Sequence, residues 1–168
     1  RMFERSFRAD NLEEAFLRQE GSSQAESILP RLRSFRSRAE VHVAGRYVLG
    51  LTGIKEGTRE LSALAQFCLE KCIQEVWSVD SIGMAIFGLG KMGGRELGFR
   101  SDMDLMVLYD AKFHASSEIP QRLTAKLQRE MSLRTPDGRL FEIDLNLRPH
   151  GKNSPAVTDL ESAVEYYR

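Results

Sequence analysis

Between a glycine-rich turn at Gly88-Leu-Gly-Lys-Met-Gly-Gly94 and a strand that opens on Asp102, the chain has only the stretch to Arg100. That is room for about two helical turns at roughly 3.6 residues each. This shortage limits the possible folds more than any other feature. Gly88, Gly90 and Gly93 follow an apolar strand with G-x-G-x-x-G spacing. Asp110 stands about 20 residues on, as a dinucleotide-binding fingerprint requires. Such a fold also needs a parallel crossover through a helix long enough to pack on the sheet, and no such helix fits here. A buried parallel strand should not begin Asp-x-Asp either. A P-loop fails on residue identity: Ala85 stands where a glycine is needed, and Met92 where Ser or Thr should follow Lys91.

Two textures divide the 168 residues. Residues 1–78 read as helical and residues 79–168 as a mixed sheet with short helices, an α+β arrangement. Asn11 can cap a short helix through Glu20, and Gly21-Ser22-Ser23 is a break. Pro30 suits the first turn of a helix to about Gly45. Residues 58–77 place Leu61, Leu64, Ala65, Cys68, Leu69, Cys72, Ile73 and Val76 on one helical face. Met84 to Phe87 reads as a buried strand, residues 102–109 as a second and Leu140 to Leu147 as a third. Pro120 opens a helix with Leu123 and Leu127 facing in. Thr135-Pro-Asp-Gly138 is a turn. Thr158-Asp-Leu-Glu161 reads as a capping box for a last helix.

Charge narrows the partners. Twenty-four basic and 24 acidic residues balance, so no global field draws the chain to nucleic acid or to an anionic membrane. Arg31, Arg33, Arg36, Arg38 and Arg46 read as a solvated helix face, with a docking surface as the alternative. No apolar run nears the roughly 20 residues of a membrane span, and no signal peptide is visible. Cys68 and Cys72, without a nearby histidine, suit core packing in a reducing cytosol. A cytoplasmic location is the expectation. The chain begins at Arg1 and stops at Tyr166-Tyr167-Arg168 within a predicted helix, which reads as a fragment of a longer protein.

The chemistry gathers on the strands. Alternate residues of a strand share a face, so Asp102 and Asp104 project together. Two such carboxylates repel unless a cation lies between them, and magnesium prefers hard oxygen ligands. In Phe141-Glu-Ile-Asp-Leu-Asn-Leu-Arg148, alternation turns Phe141, Ile143, Leu145 and Leu147 to the core and Glu142, Asp144, Asn146 and Arg148 to the other side. Asp144 can complete a carboxylate triad, and Arg148 can grip a phosphate in bidentate fashion. A solvated antiparallel strand would alternate in the same way. Backbone N–H groups at the glycine turn can bind phosphate oxygens, with Lys91 adding charge. His42, His114 and His150 have no partners at ligand spacing, His150 reading as a surface-loop residue.

The turn at Met92-Gly-Gly94, then Asp102-Met-Asp104, then a later strand with Asp144 resembles the DNA polymerase β nucleotidyltransferase superfamily. The runs Gly88 to Leu105 and Asp137 to Pro149 resemble, more narrowly, glutamine synthetase adenylyltransferases, densely over residues 88–168 and more loosely over 30–78. The resemblance implies a polymerase-β-like sheet after a helical segment. It implies one of two nucleotidyltransferase halves, which attach AMP from ATP to a tyrosine of glutamine synthetase or remove it by phosphorolysis to ADP. It implies magnesium or manganese on Asp102, Asp104 and Asp144, and phosphates cradled by Gly93, Gly94 and Ser101 with Lys91 and Arg148. Glutamine synthetase would be the protein substrate, and a PII-type signal protein would act through the rest of a longer chain. Asn146 stands where the family usually carries arginine. The alternatives are a nucleotidyltransferase acting on RNA or a small molecule, against which the zero net charge argues mildly, and a non-catalytic regulatory module, against which the three aspartates argue.

Overall fold

Leu32, Phe35, Ala39 and Val43 recur every three or four residues, and Leu61, Leu64, Ala65, Cys68, Cys72 and Val76 do the same. Each set makes one apolar stripe of a helix, and the two stripes face each other. The computed structural model describes residues 6–7, 11–18, 27–77 and 81–168. It opens with α1 (Leu12–Leu17), α2 (Leu29–Val48) and α3 (Ile54–Val76). Phe16, Phe35 and Phe67 meet edge to face at 5.4 to 5.7 Å between ring centres, the favoured aromatic geometry. The break expected at Gly21-Ser22-Ser23 lies outside the described residues. Asn11 sits at the start of α1 but uses its amide on Ser6 O rather than as a cap.

The arginines of α2 are only in part a solvated face: Arg38 is exposed and Arg31 half-buried. Arg33, Arg36 and Arg46 are buried. Arg33 pairs with Glu130 at 3.1 Å, Arg36 with Glu40 at 2.8 Å and Arg46 with Glu60 at 3.7 Å. Arg36 also lies over the Phe141 ring at 4.8 Å. A guanidinium tolerates burial when carboxylates and aromatic faces replace its water. Periodicity cannot register that, because it treats every arginine as polar. Cys68 and Cys72 are free, buried thiols, and burial pushes the Cys72 pKa up to about 12, which leaves it unreactive.

The remaining elements are β1 (Met84–Gly88), α4 (Gly90–Gly93), β2 (Met103–Tyr109), α5 (Glu118–Ser132), β3 (Ile143–Asp144), a 3-10 turn (Gly151–Asn153), β4 (Val157–Asp159) and α6 (Leu160–Tyr166). Strand β2 is the hub. β1 runs antiparallel to it from Met84↔Tyr109 to Gly88↔Leu105. β3 and β4 run parallel to it, Asp104↔Asp144 and Val107↔Val157 lying in register. The antiparallel β1–β2 hairpin rules out the parallel crossover of a dinucleotide fold. β1 is an edge strand with Ala85, Phe87 and Gly88 exposed, not the buried strand its apolar run suggests.

Two further differences have local causes. The third strand is two residues long and ends at Asp144 because the chain turns there: Asn146 N–H donates to Asp144 Oδ1 at 2.7 Å. Phe141, Ile143 and Leu145 are buried as the alternation predicts, but Leu147, beyond the turn, is 50% exposed. The last helix is capped by Asp159, which accepts from Ser162 N–H at 3.1 Å, one residue later than the expected Thr158–Glu161 box. Thr158 is occupied in β4, a strand too short to leave a sequence pattern.

One apolar core runs from Leu12 through the helices to Met103, Leu105 and Val107 of β2 and on to Val157. Met106 and Leu108 turn to the other face and meet Ala163 of α6. Helices and sheet are also joined by a buried hydrogen bond: Leu97 N–H donates to Ser62 Oγ at 3.0 Å, and Ser62 donates to Thr58 O at 2.8 Å. This places the loop that delivers Asp102. Ser62→Ala leaves a buried N–H without an acceptor, so a loss of about 1–3 kcal/mol is expected. Chemical denaturation checks it, and a loss below about 0.5 kcal/mol would show that the bond does not hold the loop.

Candidate active site

β1 ends at Gly88, and the ladder continues one residue further, Leu89 N–H donating to Asp104 O at 2.8 Å. The glycine turn is therefore fastened to the backbone of an acidic residue. The chain then makes the single turn of α4. Gly93 N–H donates to Leu89 O at 2.9 Å and Gly94 N–H to Gly90 O at 3.0 Å, so both amides are engaged within the turn. What Gly93 supplies is closeness. A Cβ there would lie 2.6 Å from Gly88 O, and since the obstacle is backbone, no side chain can be admitted without moving the turn. Lys91, Gly93 and Gly94 are exposed.

Gly98 and Ser101 close the next turn reciprocally: Ser101 N–H donates to Gly98 O, and Gly98 N–H to Ser101 Oγ, both at 3.1 Å. Arg95 and Arg100 both take left-handed conformations, with φ of 56° and 62°. Such backbone is uncommon outside glycine. It swings the chain back so that Asp102 emerges, exposed, ahead of β2. Asp104 follows on the same strand face. Asp144 stands beside it on β3, with Met103 N–H donating to Glu142 O at 2.9 Å to set that register. The bond from Asn146 N–H orients Asp144 through Oδ1.

Three carboxylates thus come from two strands and the residue leading into one of them. Partial burial, and then the charges of Asp144 and Asp102, hold the Asp104 pKa above its ordinary 3.8, with Lys91 opposing. Among the described residues, no three His, Cys, Asp or Glu side chains converge closely enough to cage a metal by themselves. Magnesium characteristically takes one or two carboxylates together with waters and substrate phosphates. A mutually repelling acidic set beside an exposed glycine turn fits that habit.

The structure brings Asp102, Asp104, Asp144, Lys91, Gly93, Gly94 and Ser101 to one end of the sheet. It gives Arg148 other work. That guanidinium donates through Nε and Nη2 to Ser154 O, at 3.3 and 2.7 Å, and through Nη1 to Leu145 O. It fastens the segment after β3 to the approach to β4. Glu142 is taken by Arg139 at 2.5 Å and Arg134 at 3.6 Å. His150 is exposed and lies edge to face with Tyr166 at 4.9 Å, and His114 bonds Ile82 O through Nε2 at 2.8 Å. Sequence reasoning missed the orienting N–H of Asn146, although Asp-x-Asn is itself a turn signal.

A groove of about 1270 Å³ runs between α3 and the glycine turn, lined by Arg59, Ile73, Trp77, Ile86 and Leu105 among others. Leu105 points opposite to Asp104 on β2. The Leu105 wall of this groove therefore lies behind the carboxylates, and Asp102 on the acidic face is exposed.

Residues 3–168 match the sequence profile of the glutamate-ammonia ligase adenylyltransferase family. Among curated proteins, the chain is 36% identical over 125 residues to a bifunctional glutamine synthetase adenylyltransferase/adenylyl-removing enzyme of Aromatoleum aromaticum, a match covering 71% of this chain and 13% of that protein. It is 31% identical to the protein of the same name from Nitrosococcus oceani, covering 82% and 16%. It is 32% identical to that of Thioalkalivibrio sulfidiphilus, covering 87% and 17%. The chain thus spans about a sixth of the length of the curated relatives it matches.

The electrostatics have a measurable consequence. Asp104 binds its proton more tightly folded than unfolded, so its contribution to stability is present at low pH and is lost as pH rises through its raised pKa. Asp104→Asn removes that penalty. At pH 7 the variant is expected to melt at or above the parent temperature, with the difference closing as pH falls toward 3.8. Magnesium should raise the parent's midpoint and leave the variant's unmoved. A variant melting well below the parent at pH 7 would make Asp104 a structural residue instead.

Proposed function

The chain belongs to the glutamate-ammonia ligase adenylyltransferase family, and from that premise we propose that it is the catalytic core of one nucleotidyltransferase half. It would move AMP between a nucleotide and a tyrosine of glutamine synthetase. The observation that carries this reading is the in-register pairing of Asp104 with Asp144, beside a glycine turn fastened to Asp104 O.

In the attaching direction the tyrosine oxygen bonds to the α-phosphorus of ATP. The bond to the bridging oxygen breaks, pyrophosphate leaves and the hydroxyl proton is released. In removal, phosphate attacks the same phosphorus, the tyrosine oxygen leaves and ADP forms. Asp102 and Asp104 would hold a divalent cation, magnesium first and manganese in its place, and Asp144 would complete the set. The cation, when bound, supplies positive charge to the phosphate oxygens and to the attacking and leaving oxygens. Asp144, held through Oδ1, has Oδ2 left to take the hydroxyl proton and would act on the nucleophile in this reading. The bare turn at Gly93-Gly94 allows the triphosphate close approach. Lys91 and the Ser101 hydroxyl would add a positive charge and a hydrogen-bonding group for the phosphates. Arg148 serves the site mainly by fixing the segment behind Asp144, and its remaining N–H groups are its reserve for a phosphate.

Membership in this family supports three further parts of the proposal: a cytoplasmic location, glutamine synthetase as the protein substrate, and a PII-type signal protein acting through the remainder of a longer chain. Among the described residues no helix is long and apolar enough to cross a membrane.

The test incubates the chain and magnesium with unmodified glutamine synthetase and α-labelled ATP, and in parallel with adenylylated synthetase and phosphate. Label on the synthetase or release of ADP is the expected result, and neither from a folded chain would overturn the proposal. Asp144→Asn sharpens it. Nucleotide affinity should change little, while kcat and kcat/KM fall together, by at least about a hundredfold, the scale of losing one transition-state group. Single-turnover kinetics with a nucleotide titration separates the two effects. An unchanged rate removes Asp144 from the mechanism.

A further inference from the structure

Gly90 opens α4 with a φ of +49°. A Cβ at this position would stand 2.5 Å from Asp104 Oδ2, 3.3 Å from its Cγ and 3.6 Å from its Cβ. One carboxylate oxygen, Oδ2, therefore fills the space that a Cβ on residue 90 would need. The obstacle is a short side chain, not backbone. This differs from Gly93, whose missing Cβ faces Gly88 O. A methyl group at position 90 would be relieved by turning Asp104 about its own side-chain bonds, with the core left alone. Both ends of this contact are held. Leu89 N–H donates to Asp104 O at 2.8 Å and Gly94 N–H to Gly90 O at 3.0 Å, so neither backbone can retreat.

We propose that Gly90 is a positioning residue: its bare Cα sets the side-chain rotamer of Asp104, and with it the direction in which that carboxylate meets a divalent cation and the phosphates it accompanies. This rests on the carboxylate role assigned to Asp104 above. The left-handed turn and the missing side chain act together. The first aims the Cα of residue 90 at Asp104, and the second leaves room for the oxygen. Any L residue at this position carries the Cβ that evicts Oδ2, whatever the rest of its side chain does.

Backbone strain and eviction of the carboxylate can be separated. Gly50 has a φ of +69°, and a Cβ there would meet nothing within 4 Å, so Gly50→Ala measures the cost of a left-handed alanine in open space. Gly90→Ala adds the collision with Asp104. Gly90→Asn keeps the Cβ on a residue that tolerates left-handed backbone, so it serves if the alanine variant does not fold. The readouts are a thermal melt, Mn2+ binding by electron paramagnetic resonance on the chain alone and with ATP, and kcat and KM for AMP transfer. Gly90→Ala and Gly90→Asn are expected to weaken Mn2+ binding at least about tenfold and to lower kcat more than they raise KM, as loss of a transition-state contact does. Gly50→Ala should lower the melting temperature to a similar degree with Mn2+ binding unchanged. Unchanged Mn2+ affinity in the Gly90 variants, or an equal loss in Gly50→Ala, overturns the proposal. Asp104→Asn run alongside distinguishes the failures. If it binds Mn2+ like the parent, the carboxylate role itself is wrong. If it alone loses Mn2+, only the assignment to Gly90 falls.

Discussion

Asp104 and Asp144 are held side by side by the parallel pairing of β2 with β3, and the two carboxylates repel. Met103 N–H on Glu142 O sets that register, and the buried neighbours Met103 and Ile143 keep it. A slip of one residue would turn Ile143 outward and Asp144 into the core, since strand faces alternate. The apolar residues of the pair therefore enforce an arrangement that the acidic ones oppose. Partial burial first, and then the charges of Asp144 and Asp102, raise the pKa of Asp104.

The rest of the fold serves that pairing. β1 gives β2 an antiparallel partner and ends where the glycine turn can bind Asp104 O. α5 packs over the parallel strands. α3 anchors the loop before Asp102 through Ser62 and Leu97 N–H. Arg148 ties the chain leaving β3 to Ser154, and so leads it toward β4. Helices and sheet share one core, so the strand that carries Asp104 is packed against the helical layer.

How much of this is legible in the sequence depends on the range of each interaction. The stripe on α3, the turn at Thr135–Gly138 and the strand carrying Asp102 and Asp104 rest on residues a few positions apart, and each can be read directly. The alternation of residues 141–145 is legible too, although the pattern overruns into Leu147 because the Asx turn at Asp144 ends the strand early. The arginines of α2 mislead. Two of their carboxylates, Glu60 and Glu130, lie on other helices, and no local pattern reveals a partner so distant in the chain. β4 leaves no signal because three residues have no periodicity, and it exists only because β2 has a free edge there.

The amino-acid sequence alone sets the chemical inventory and the local geometry: one aspartate on a strand and another leading into it two residues earlier, a third on another strand, and a turn of glycines with no room for a crossover helix behind it. Those follow from bond geometry and side-chain volume within a few residues. Long-range packing settles which strand lies beside which, that Asp144 rather than Glu142 stands level with Asp104, that Arg148 grips backbone carbonyls, and that a missing side chain at Gly90 leaves space for Asp104. Each of these depends on atoms far apart in the chain, brought together by a core whose apolar contacts are non-directional. Such contacts define a packing only when all the elements are present together.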